Sequence, residues 1–278
     1  MKSTITTAKV ISDKKKPSLR WNTKCILCLV PSLFGLLLFY IVPYLRVLYY
    51  SLINNQFKKN FVGFQNYIET MQNKYFQLAL KNSILLILIC VPVLILLALL
   101  VSLGLTFLLK SLRMIRVAFI LPMLIPTASI VLFFQRVFGT VENELPLYLL
   151  FLWKNIGICI ILLTAALTTI EEEIYEAALL DGASAFSLHI KITLPLILPT
   201  ISFSTLMAIV NSFKIFRESY LYYGGNYPPD YGYTLQYYMN NNFLKFDYQA
   251  LASSSVLTSF LVAAIVILFL LWERRYQR

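Results

Sequence analysis

Six stretches of this chain, 25–45, 82–109, 117–135, 153–170, 192–213 and 248–272, run for about the length of a bilayer crossing with few or no charges. A helix needs roughly 20 apolar residues to cross the hydrocarbon core, where every backbone polar group must be satisfied internally. The pattern therefore predicts an all-α polytopic membrane protein with six transmembrane helices, a permease-like domain over 25–272. Composition agrees: 59% of the residues are hydrophobic and 13% are charged, against about a quarter charged in soluble domains. In the fourth run Trp153 and Lys154 read as an interfacial pair with the lysine snorkelling outward, which would lay 145–152 along the membrane surface.

The net charge of +11 comes from short basic flanks of apolar runs, so it sets orientation and does not point to nucleic acid. Lys2, Lys9, Lys14, Lys15, Lys16, Arg20 and Lys24 lie in a polar, mobile tail over 1–24. Lys110, Arg113 and Arg116 fill the second loop, and Arg274, Arg275 and Arg278 close the chain in a tail over 273–278. With six spans these segments share one side, which the positive-inside rule makes cytoplasmic. Lys58, Lys59, Lys74, Lys81, Lys214, Arg217 and Lys245 on the opposite side weaken the asymmetry. The expected location is the plasma (inner or cytoplasmic) membrane, multi-pass, with both termini cytoplasmic. The basic start followed by an apolar run also resembles a secretory signal, but the run is long and lacks a small-residue cleavage pattern, so an uncleaved first span is expected.

Enzymatic chemistry finds little to stand on. None of the nine glycines precedes a lysine, so there is no phosphate-binding loop of the Gly-Lys type. His189 is the sole histidine and reads as a surface residue in a loop. Cys25, Cys28, Cys90 and Cys159 all fall in apolar runs and read as packing residues; the Cys25-x-x-Cys28 spacing has no accompanying ligands. No catalytic residue, metal site or cofactor is assigned. Gln135, Asn211, Ser212, Tyr220, Tyr222 and Tyr223 are eligible by type for a polar solute, yet interfacial anchoring explains such aromatics equally, and no substrate ligand is named.

The polar interruption at 171–195 is different. Glu171, Glu172 and Glu173 complement the N-terminal dipole of a short helix carrying Ile174, Ala177, Ala178 and Leu180 on one face, and Gly182 suits a left-handed helix end. A second short helix from Ser184 to about Lys191 would stop before Pro195, because the residue ahead of a proline disfavours the helical region. The result is a helix-turn-helix elbow with alanines at its bend; an amphipathic loop tucked under its own bundle would have the same pattern. In the third run Pro122 and Pro126 predict a kink or local unwinding.

Glu176-Ala177-Ala178, then Gly182, then Ile192-Thr193-Leu194-Pro195 have the residues and spacing of a signature loop, and the chain resembles the permease subunits of binding-protein-dependent ABC importers. Phe39-Tyr40-Ile41-Val42-Pro43, Phe61-Val62-Gly63-Phe64-Gln65-Asn66-Tyr67, Leu121-Pro122, Tyr175, and Phe213 to Leu221 with Gly224-Gly225 and Thr234-Leu235 are similar to the maltose and glycerol-3-phosphate branch. Gly224-Gly225-Asn226-Tyr227-Pro228 departs from the usual Gly-Gly-Pro, and the loop near 138–145 is shorter than usual. The resemblance implies that Glu176, Ala177, Ala178, Asp181, Gly182, Ala183, Ile192, Leu194 and Pro195 form a coupling elbow on a separate cytoplasmic ATPase. Glu176 would meet a basic group there, and the alanines would permit close approach. It also implies a second permease subunit in a heterodimer, two ATPase subunits, an extracytoplasmic solute-binding protein and a carbohydrate cargo. A non-sugar ABC permease remains open. A self-sufficient transporter or channel would be expected to carry ionisable groups within its spans, where the sequence shows almost none.

Overall fold

The computed structural model describes residues 19–55, 59–108, 119, 121, 124–139 and 141–276. The chain divides into two units, residues 1–49 and 50–278. In the first unit the described residues form helix α1 (Leu19–Leu36), a π-helical turn over Leu37–Ile41, and the start of α2 (Val42–Ser51). Most of the expected tail, 1–18, lies outside the described residues, but 19–24 are already helical. The π turn places the Val42 amide on the Leu37 carbonyl, one residue further back than in an α-helix, immediately before Pro43. A proline has no amide to give and its ring crowds the carbonyl four residues back, so the wider turn lets the helix continue.

The second unit comprises α3 (Gln65–Gln72), α4 (Lys74–Leu108), α5 (Thr127–Phe138), α6 (Leu145–Leu167), α7 (Glu172–Leu180), α8 (Ala185–Leu188), a π turn (His189–Thr193), α9 (Leu194–Ser212), α10 (Phe216–Tyr223), α11 (Leu235–Leu244) and α12 (Tyr248–Tyr276). Among the described residues, five helical stretches are long and apolar enough to cross a membrane: Cys28–Ser51, Lys74–Thr106, Leu145–Leu167, Ala185–Ser212 and Tyr248–Arg275; α5 is a shorter apolar helix. Residues 117, 118, 120, 122 and 123 of the expected third span lie outside the described residues. Its break is visible at Pro126, which is extended (ψ 133°) and leads into α5.

Several expected boundaries are corrected. The helix expected at 82 begins at Lys74, and Pro92 is accommodated within it. Residues 145–152 are not a segment separate from the fourth run. They are the first turns of α6, which places Lys154 beside the midpoint of a continuous helix. The expected stop before Pro195 does not occur either. From Ala185 to Ser212 the chain is helical throughout, and the π turn sets the Leu194 amide on the His189 carbonyl just ahead of the proline.

The core forms where α4 packs along α6, with α9 against both. Leu86, Cys90, Leu94 and Ala98 recur every four residues on α4 and meet Phe151, Cys159, Ile160 and Leu163 of α6 and Ala208 and Ile209 of α9. Burial of Cys90 and Cys159 here fits apolar packing. Ser102 continues the α4 stripe and bridges the helices, its hydroxyl donating to the Ala98 carbonyl at 2.7 Å and the Ile160 carbonyl at 3.1 Å. Gly157 is required by closeness: a methyl group there would run into the Phe119 carbonyl. A second core gathers Phe76, Ala79, Tyr233, Leu235, Tyr237 and Tyr238, so these tyrosines serve as packing.

Candidate functional site: a projecting elbow and an interhelical cavity

Helix α7 opens with Glu172 and Glu173 in its first turn, where carboxylates complement the exposed amides, and closes at Asp181. Gly182 takes φ +81°. Its amide donates to the Leu179 carbonyl at 3.0 Å, and the Ala183 amide donates to the Ala178 carbonyl at 3.0 Å. These two bonds define a Schellman cap, in which the left-handed residue reverses the chain and the small pair Ala178 and Ala183 closes beneath it. Ser184 then caps α8, its hydroxyl accepting from the Ser187 amide.

Glu176, Ala177, Asp181, Gly182 and Pro195 are exposed, whereas Ala178, Ala183, Ile192 and Leu194 are half-buried. The bend brings the residues from Ala177 to Ala183 together at one tip. Ile192, Leu194 and Pro195 belong instead to the returning arm. The arms are joined at their base by the Tyr175 hydroxyl, 3.3 Å from that of Thr193, which is buried. His189 is not in a loop: it lies in the π turn, its Nδ1 3.5 Å from the Thr193 hydroxyl. Beside this base a crevice of about 770 Å³ opens between Ile170, Glu171 and Ile174 on one wall and Leu196, Pro199 and Phe203 on the other.

Besides Leu180, already on the apolar face read from the sequence, the tip displays large apolar groups that spacing alone had not singled out, Leu179 and Phe186. Leu180 is 89% exposed, Phe186 76% and Leu179 58%. Phe186 follows the bend by only a few residues, and its exposure depends on the turn geometry. Apolar groups clustered on a projecting element mark a contact surface.

A second feature lies where α6, α9 and α10 meet. Lys154 on α6 forms an ion pair with Glu218 on α10, whose side chain is 4% exposed, against 43% for the lysine. The lysine thus does not simply snorkel outward. Next to it the Asn211 amide donates to Asn155 Oδ1 at 2.9 Å, while Asn155 donates to the Phe151 carbonyl at 2.8 Å. With Lys214, Ile158, Met207 and Ile215 these groups line a cavity of about 240 Å³ where α9 ends opposite the middle of α6. Of the residues eligible by type, Asn211 reaches this cavity. Gln135 instead donates to the Leu221 and Tyr222 carbonyls, Ser212 to Ile209, and the Tyr222 hydroxyl to Phe138.

Residues 67–278 match the family model described as "Binding-protein-dependent transport system inner membrane component". The chain belongs to this family of membrane transport components. The transport component is 27% identical over 243 residues to the arabinooligosaccharides transport system permease protein AraP of Bacillus subtilis, covering 75% of each chain. It is 27% identical over 252 residues to the sulfoquinovosyl glycerol transport system permease protein SmoG of Agrobacterium fabrum, covering 80% of each. It is 26% identical over 270 residues to the trehalose/maltose transport system permease protein MalF of Thermococcus litoralis, covering 88% of this chain and 91% of that one. Its fold matches a chain of a bacterial ABC transporter involved in alginate import with a TM-score of 0.73 at 21% identity, covering 93% of this chain and 98% of the other.

Proposed function

We propose that the chain is one of two membrane subunits of an ATP-driven, binding-protein-dependent importer that carries a carbohydrate across the plasma membrane. The observation that carries this reading is the elbow. A Schellman-capped bend with Glu176, Ala177 and Asp181 beside exposed Leu179, Leu180 and Phe186 has the polar and apolar groups a protein partner would cover. A cytoplasmic ATPase, two copies in the assembly, is the partner that suits it, with a second permease completing the pathway and a binding protein delivering solute outside. Both termini then lie in the cytoplasm with the elbow. Carbohydrate is favoured because AraP, SmoG and MalF are named for sugar or sugar-derivative transport, and because the cavity combines amide groups with apolar side chains suited to a polyhydroxylated ring.

The test is a photocrosslinking residue placed at Ala177 in the native host. The expected adduct contains a cytoplasmic, nucleotide-hydrolysing ATPase. Adducts confined to the chain's own helices or to lipid would remove the elbow from the coupling role.

A further inference from the structure

Helix α3 divides into three sides of different chemistry. At about 100° per residue, Phe64 at its N-cap, Ile68 and Met71 fall in one sector, Gln65, Glu69 and Gln72 in a second, and Asn66, Tyr67 and Thr70 in the third. The third sector is fastened to the protein. The Asn66 amide donates to the Ser51 and Ile53 carbonyls at 2.8 and 2.9 Å, the Tyr67 hydroxyl lies 2.5 Å from that of Ser51, and the Thr70 hydroxyl lies 2.6 Å from that of Ser253 on α12. The polar sector is exposed, with Gln65 donating to Glu69 at 3.0 Å. The apolar sector is exposed as well, Phe64 to 74%, Met71 to 57% and Ile68 to 49%.

The place of α3 on the bundle decides what meets that apolar side. Ser253 sits in the second turn of α12, about 8 Å along the axis from Tyr248, and it is buried with Thr70 against it. Every seventh residue of a helix returns to within about 20° of the same line. Phe260 and Ile267 therefore continue the line of Ser253, and both are exposed, as is Leu271 beside them. Large apolar side chains exposed along a spanning helix face hydrocarbon. Helix α3 thus lies over the outer side of α12, at its head. Its other end is fixed at the same level, because the single extended residue Asn73 (ψ 121°) joins it to α4 and caps that helix, accepting from the Tyr75 amide at 2.9 Å.

We propose that α3 is a membrane-surface helix: Phe64, Ile68 and Met71 sink into the phospholipid leaflet at which α12 begins, while Gln65, Glu69 and Gln72 face water. An amphipathic helix in this position buries its apolar side at the boundary of headgroups and acyl chains. Here the protein holds the third side, so the helix fixes the heads of α4 and α12 at that depth. The inference rests on the membrane reading of the long apolar helices and is independent of the cargo.

The test uses the whole transporter, this chain with its partner subunits, in vesicles of phosphatidylcholine and phosphatidylglycerol. Cysteines are introduced one at a time as Ile68→Cys, Met71→Cys, Gln65→Cys and Gln72→Cys, all at exposed positions, with Cys25→Ser and Cys28→Ser as background, since Cys90 and Cys159 are buried. Each is labelled with a nitroxide, and its collisions with oxygen, which concentrates in lipid, are compared with those of a water-soluble nickel chelate. Labels at 68 and 71 should show an oxygen-to-nickel ratio several-fold above those at 65 and 72. A low ratio at all four positions would mean that α3 stands in water, and overturns the proposal. Labels at 68 and 71 shielded from both reagents would mean that a protein, either the second permease or the solute-binding protein, covers the apolar side; that result overturns it too. Omitting the solute-binding protein from the vesicles tells the two protein occupants apart.

Discussion

The Tyr175 hydroxyl lies 3.3 Å from the Thr193 hydroxyl, a contact that fastens the first arm of the elbow to the π turn at the head of α9. Thr193 is buried and also lies 3.4 Å from the Leu188 carbonyl. Motion of the tip would therefore reach α9 through a short, braced segment.

Tyr175→Phe removes one side of that brace. It is expected to destabilise the elbow by about 1 kcal/mol and to lower uptake per ATP hydrolysed while membrane level holds. Measuring both rates in proteoliposomes checks it, and an unchanged ratio would leave Tyr175 with packing alone.

Gly182→Ala places a methyl group on a residue at φ +81°. No atom lies near enough to clash, so the cost is conformational, about 1–2 kcal/mol. Uptake should fall several-fold, and Gly182→Asp should behave similarly. Glu176→Lys is expected to uncouple uptake from hydrolysis without strain. Whole-cell uptake normalised to membrane level separates these variants from wild type; wild-type uptake in all three would speak against a coupling elbow.

Lys154→Met leaves Glu218 buried without its cation. For a fully buried pair the loss is about 3–5 kcal/mol, and the 43% exposure of the lysine side chain reduces the expectation to the lower part of that range or below. The double variant Lys154→Met with Glu218→Gln should recover much of the lost thermal stability. Unfolding in detergent gives the comparison, and additive losses would argue that the two side chains act independently.

Gly157→Val drives side-chain atoms into the Phe119 carbonyl. Overpacking of this kind costs about 1–3 kcal/mol or more. The membrane level of the variant should drop sharply, whereas Gly35→Val, with open space around the position, should not change it.

The long apolar stretches were legible because hydropathy directly reports what a bilayer tolerates, and the elbow was legible because Gly182 and its flanking alanines follow helix-cap chemistry. Helix ends were less so. Lys74 to Lys81 is too polar to read as membrane yet continues α4, since α3 and α11 pack against that helix. The Lys154 and Glu218 pair was hidden because its members lie 64 residues apart, and a lone lysine in an apolar run looks like an interfacial anchor. Pro195 read as a terminator because the rule for the preceding residue takes no account of a turn widened by one residue.

That widened turn also sets where the chain can change length. In an α-helix each residue advances the azimuth by about 100°, so losing one residue from the middle of α9 would swing everything beyond it toward a different neighbour. Within His189–Thr193 the surplus residue is already absorbed, and its removal would leave both flanks pointing as they do. Pro195 would then press on the carbonyl behind it. The segment is a one-tooth clutch, keeping the elbow and the helix above it in phase across a proline.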